Sequence, residues 1–282
     1  METMSPGGGA AVGAVSDGAA PRARPRLKVT DEILEAVRGD IVSGRLARGS
    51  RLPNERDLAH RFGVSQPTMR EVVRALEAMG LVEVRHGSGA WVTGNSGYLI
   101  AAGLQTLMQL ERVSLLEAVD VREMLGLESV RIAATERTEQ DLIDIRARLA
   151  VLKRVDQVAD VEAVIDQIAG FQVAVSAAAH RPLLYALESF LIQLQMQMQV
   201  KALKSRGVRY WRQRSLSFQD DRKSIVRAVE AKDSVAAVAA MDRYLEHTRA
   251  AFLSDPAVLS IRLTDKKAAD AAAAIVYALR GG

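Results

Sequence analysis

Gln66, Arg70 and Arg74 stand four residues apart, so a helix through them presents one amide and two guanidiniums on a single face. Met69, Val72, Val73 and Leu76 then fall on the opposite face, with the i, i+3, i+4, i+7 spacing of a buried stripe. A guanidinium fork matches guanine O6 and N7, or a phosphate, and a glutamine amide matches adenine N6 and N7. Arg56 precedes this helix, and Arg85 and the tip His86-Gly87-Ser88-Gly89 follow it. A glycine-rich tip lets backbone approach a partner closely. The partner that suits this chemistry is duplex DNA.

The surrounding residues read as the elements that hold such a face. Pro53-Asn54 opens a short helix with Asn54 as cap and Asp57 three residues on; Leu58 and Phe62 point inward. Phe62-Gly63-Val64-Ser65 is the turn, Ser65 caps the next helix, and Pro67 sits in its first turn, where a missing N–H costs little. Gly80 ends that helix. Residues 81–85 and 90–93 read as paired strands, with Trp91 over the core edge. Upstream, Thr30 is expected to cap a helix burying Ile33, Val37 and Ile41, ended by Gly44. Two helices, a turn and a hairpin form a winged helix-turn-helix, a device for reading DNA grooves.

The rest of the chain is helical in pattern. Residues 1–26 hold Gly, Ala, Ser and Pro with little to bury and read as a disordered tail whose end is basic. The winged helix is expected over 27–94, a linker over 95–100, a helical effector-binding and dimerisation domain over 101–254, and an alanine-rich tail able to form one more helix over 255–282. Ser114-Leu115-Leu116-Glu117 fits a capping box. Further helices are expected near 139–153, 160–179, 182–203, 214–231 and 233–253. The fold class is mostly α: three helices and a β-hairpin wing, then an all-α antiparallel bundle.

Composition narrows the function. The 282 residues include no cysteine, which excludes disulfides, thiolate metal ligands and a cysteine nucleophile. Thirteen Lys/Arg face nine Asp/Glu between residues 22 and 93, so the chain's net charge of +4 matches the excess on the expected DNA reader. No apolar run is long enough to span a membrane and no signal-peptide core opens the chain, so a cytoplasmic protein with no membrane partner is expected. No Ser-His-Asp set, facing carboxylate pair or phosphate loop points to an enzyme.

The first domain resembles the winged helix of the GntR family of bacterial transcription factors. The resemblance rests on Gly49-x-x-Leu52-Pro53-x-Glu55-Arg56-x-Leu58-Ala59, Gly63-Val64-Ser65-x-x-Thr68-x-Arg70-Glu71, Leu76-x-x-x-Gly80-Leu81 and His86-Gly87-x-Gly89. It implies that Arg56, Gln66, Thr68 and Arg70 meet the major groove or its phosphates, and that His86 and Gly87 reach the minor groove. With their neighbours the candidate DNA-binding set is Arg56, Ser65, Gln66, Pro67, Thr68, Arg70, Arg74, Arg85, His86 and Gly87. Glu55 and Glu71 are expected to pair with nearby arginines. The family commonly has Arg at Gln66 and a small polar residue at Pro67, so a shifted operator preference is expected.

The helical part is similar to the FCD type of the FadR subfamily, through Val121-Arg122-x-x-Leu125, Phe171-x-x-x-Val175, Arg181-Pro182-Leu183-Leu184, Ile225-x-x-Ala228-Val229-x-Ala231-x-Asp233 and Ala240-Met241-x-x-Tyr244-Leu245. That family often buries a divalent metal on one Asp and three His. Here the corresponding positions are Ile168, Gln172, Arg222 and Tyr244, and Asp166 is two residues out of register, so no metal and no cofactor are expected. Arg222 and Tyr244, with Gln172 and Arg122, form the candidate ligand set, suited to an anion held without a metal; the alternative is that Arg222 pairs with Glu123, Glu128 or Asp166. The loss of Asp at Ile168 leans toward a fatty acyl or aromatic carboxylate. Residues 201–214, with six cations beside Tyr210-Trp211, read as a solvated corner in preference to a phosphate site.

These features imply a regulator, expected to repress, that binds a palindromic operator as a homodimer under small-molecule control. The alternative is an effector-independent regulator whose helical domain only dimerises.

Overall fold

The computed structural model of the chain describes residues 26–85, 87–93, 96–259 and 275. Helix α1 (Arg26–Val42) begins four residues before Thr30, so Thr30 lies inside the helix and is not its cap. Of the expected tail over 1–26, Arg26 instead opens α1, and residues 1–25, like most of 255–282, lie outside the described residues. Helices α2 (Glu55–Phe62) and α3 (Gln66–Ala78) are capped as their sequences demand: Asn54 Oδ1 accepts from Asp57 N at 2.8 Å, and Ser65 Oγ from Thr68 N at 3.3 Å. Strands β1 (Val82–Arg85) and β2 (Gly89–Val92) pair antiparallel, Val82 opposite Val92 and Arg85 opposite Gly89.

The stripe on α3 is the floor of this first domain. Met69, Val72, Val73 and Leu76 are buried with Ile33, Leu34, Val37, Leu52 and Leu58 in one cluster, while Ile41 and Phe62 pack at its margin. Asp40 ties the open side shut: Arg45 Nε donates to it at 2.8 Å and Arg61 Nη2 at 3.3 Å. The Arg45 hydrogen bond holds the Asp40 carboxyl below the usual range.

The second part is a bundle of α4 (Ser96–Leu110), α5 (Leu115–Glu136), α6 (Glu139–Leu152), α7 (Val161–Ala177), α8 (Pro182–Leu203), α9 (Gly207–Ser217), α10 (Gln219–Glu230), α11 (Ser234–Leu253) and the short α12 (Pro256–Leu259). Helix α5 packs on α8 and α11, α7 on α6 and α8, and α10 on α11. Helix α8 runs through the middle; its Phe190, Ile192, Leu194, Met198 and Leu203 are fully enclosed, as are Gln195 and Gln199. Ser114 caps α5, and the full reciprocal capping box is the one at Thr138 and Asp141 on α6. Arg137, itself buried, donates to the carbonyls of Val229 (3.3 Å) and Glu230 (2.9 Å), closing the C-terminus of α10.

The expected linker over 95–100 is corrected. From Ser96 onward it is helix, the first turn of α4, because Tyr98 docks against the end of α3. Gly80, at φ +65°, leaves the room: a Cβ there would meet the Tyr98 ring at 2.1 Å. Tertiary contact overrides the poor helix propensity of Ser96-Gly97.

Glu188 on α8 is enclosed between α5 and α7, hydrogen-bonded by Ser129, and burial pushes its carboxyl above the usual glutamate range. Below about pH 4 it is protonated folded or unfolded and costs nothing. As pH rises, the unfolded chain releases that proton more readily, so stability falls. Glu188→Gln is expected to raise the melting temperature by a few degrees at pH 8 and to match the wild type near pH 4, read by calorimetry across pH.

Candidate functional site

On the first domain the expected face is present. Gln66, Arg70 and Arg74 are exposed along α3, and Arg56 is exposed on α2. A groove of about 440 Å³ separates α2, α3 and the wing, lined among others by Asn54, Glu55, Arg56, Gln66 and Gly89. Arg70 Nε donates to Glu55 Oε2 at 3.1 Å, which bears out the expected pairing of Glu55 and holds the guanidinium beside that groove. Arg85 donates to Glu83 (3.0 Å) and lies 5.3 Å above the Trp91 ring. Gly87 is exposed at φ +76°. Thr68 differs from expectation: it is buried, and its hydroxyl shares a 2.9 Å hydrogen bond with Ser65, so it braces the start of α3. Ser65 and Pro67 are exposed there; His86 lies outside the described residues.

Sequence reasoning missed Arg51. Its guanidinium lies across Gly89, where a Cβ would sit 3.2 Å from Nε, and lines the same groove. The missing side chain at Gly89 was the only local signal.

In the bundle the four ligand-set residues are brought together and all are buried. Arg122 Nη2 donates to Gln172 Oε1, and Gln172 Nε2 donates to the Tyr244 hydroxyl at 3.0 Å, linking α5, α7 and α11. Arg222 Nη1 donates to the Ser215 carbonyl at 2.7 Å, and its guanidinium carbon lies 5.8 Å from the Phe218 and Tyr244 ring centres. The expected alternative partners are engaged elsewhere or face outward: Glu123 pairs with Arg249, Glu128 with Arg131, and Asp166 is exposed. Arg222 has no carboxylate within ion-pairing distance among the described residues.

Beside Arg222 is a cavity of about 20 Å³, lined by Ile168, Gln199, Trp211, Ser215, Tyr244 and Thr248 among others. That is room for about one water. A fatty acyl or aromatic chain does not fit it as it stands, because Ile168, Met196 and Phe218 close its walls. The positions do not fit a divalent metal either: Arg222 brings fixed positive charge, and Gln172 spends its amide on Arg122 and Tyr244. Among the described residues no three His, Cys, Asp or Glu side chains cluster.

The basic stretch 201–214 leaves Lys201, Lys204, Arg206 and Arg209 exposed, as expected of a solvated corner, with some of its cations paired within the chain. Lys204 pairs with Glu162, Arg206 with Asp255 at 2.7 Å, Arg212 donates to the Val158 carbonyl, and Trp211 is buried. No helix among the described residues is long and apolar enough to cross a membrane.

Comparison with known proteins agrees with both halves. Residues 29–92 match the family of bacterial regulatory proteins of the gntR type, and residues 117–247 match the FCD domain. The LutR transcriptional regulator of Bacillus subtilis is 30% identical over 154 residues, 55% of this chain and 69% of LutR. The chain belongs to the GntR family. An uncharacterised HTH-type transcriptional regulator of Mycobacterium tuberculosis is 35% identical over 159 residues, 56% of this chain and 65% of its own length. The match to the Mycobacterium regulator Mce2R spans about half of that relative, 51%. A solved Streptococcus agalactiae GntR shares the fold, with a TM-score of 0.61 at 19% identity, covering 79% of this chain and 99% of its own.

Proposed function

We propose that this GntR-family chain is a transcriptional repressor of the FadR subfamily that works in the cytoplasm, reads a palindromic operator as a homodimer, and responds to a small anionic ligand in its FCD domain. The observation that carries the DNA reading is the exposed row Gln66, Arg70 and Arg74 beside Arg56 and the wing, backed by a domain core that keeps it rigid. Arg56, Arg70 and Gln66 would take base edges; Arg74, Arg85 and the helix start at Ser65-Pro67 would take phosphates; His86 and Gly87 would take the minor groove. Exposed Leu107, Leu110, Val121 and Met124 on α4 and α5 offer an apolar face for the second copy.

Selection of binding sites from random duplexes tests this directly: an inverted repeat with half-sites about one helical turn apart is expected, and recovery of no symmetric site overturns it. The same selection with Gln66→Arg is expected to change one base pair per half-site from adenine toward guanine, and an unchanged preference would remove Gln66 from the reading set.

Buried Arg222, with no carboxylate among the described residues to neutralise it, favours an anionic ligand. The size of the cavity favours the other reading, in which the FCD domain only dimerises. Thermal shift with a carboxylate series from acetate to octanoate separates them: stabilisation abolished in Tyr244→Phe or Arg222→Met supports the ligand, and no stabilisation by any member supports dimerisation alone.

A further inference from the structure

The cavity beside Arg222 holds an imbalance of hydrogen-bonding groups. Three donors of its lining residues have no acceptor among the described residues: Arg222 Nε, Trp211 Nε1 and Gln199 Nε2, each on a side chain at most 2% exposed. Three of the neighbouring acceptors already hold a donor. Gln199 Oε1 accepts from Arg214, the Tyr244 hydroxyl from Gln172, and the Ser215 carbonyl from Arg222 itself. Indole and guanidinium nitrogens can only donate. A water placed among them would bring two hydrogens of its own to a site already in surplus, and would leave the guanidinium charge uncompensated.

We propose that this cavity is a seat for one small inorganic monoanion of chloride size, resident in the FCD domain and neutralising Arg222. The space of about 20 Å³ admits a monatomic ion and no organic carboxylate unless the walls move. The ligand is gripped by α8 through Gln199, by α9 through Trp211 and by α10 through Arg222. The seat shares Arg222 with the proposed effector site but does not depend on it: a carboxylate effector would have to displace the ion.

The test uses the full chain at constant ionic strength while sodium gluconate is exchanged for sodium chloride. The melting temperature is expected to rise with the logarithm of chloride above the dissociation constant, by about 4 °C at ten times that constant, and bromide to do the same. Trp211→Phe, which removes only the indole donor, and Gln199→Leu are expected to weaken the response, and Arg222→Met to abolish it. Crystals soaked in sodium bromide should show an anomalous peak between Arg222 Nε and Trp211 Nε1. An equal halide response in wild type and Trp211→Phe, or no bromide peak in this cavity, overturns the proposal. Adding acetate or benzoate separates the two readings. Halide stabilisation without carboxylate stabilisation leaves this proposal standing and the effector reading failed, and the reverse result fails this one.

Discussion

Arg70→Ala is expected to weaken binding to the selected operator about 10- to 100-fold, as loss of one bidentate base contact does. The loss should exceed that of Arg74→Ala, because Arg70 leaves a charge behind. Glu55 Oε2 now receives the Arg70 Nε hydrogen bond at 3.1 Å and lines the groove beside Arg56 and Gln66. Without Arg70, its carboxylate faces the duplex unneutralised and repels phosphate. The double variant Glu55→Ala/Arg70→Ala should therefore bind better than Arg70→Ala alone, by fluorescence anisotropy at two salt concentrations. If the single and double variants bind alike, Glu55 does not control the face.

Gly80→Val is expected to lower the melting temperature of the first domain by about 8 to 16 °C, from about 2 kcal/mol or more of strain and overlap. Two costs add. The backbone at Gly80 has φ +65°, which a β-branched residue resists, and the new Cβ would meet the Tyr98 ring at 2.1 Å. Tyr98→Ala in the Gly80→Val background should recover the clash but not the backbone strain, so partial rescue is the expected result. Trp91 fluorescence in a Trp211→Phe chain reports this domain alone, and full stability in Gly80→Val would show that α4 does not dock there.

The caps at Asn54, Ser65 and Ser114 were legible because each depends on residues within one turn. The stripe of Met69, Val72, Val73 and Leu76 was legible for the same reason: a single helix period sets it. The first turn of α4 was hidden, since Ser96-Gly97 favours a loop locally and only the contact of Tyr98 with Gly80 reverses that. Thr68 matched a family contact position, yet its burial depends on how the α3 start closes over Ser65. In the bundle, Arg222 and Tyr244 could be placed by register, but Gln199 and Trp211 join them through the convergence of α8 and α9, which no spacing along the chain reveals.

The pairing of Arg70 with Glu55 also bears on how such a protein would find its site. While it slides along sequences that are not its operator, a cation satisfied internally contributes little to the general attraction of the backbone, so the chain is less firmly held at wrong positions. Only where a base offers both of its acceptors do the two Nη groups of Arg70 gain partners, with Nε kept on Glu55. The ion pair thus acts on search as well as on grip: it shortens each mistaken pause and widens the gap between operator and ordinary DNA without a further base contact.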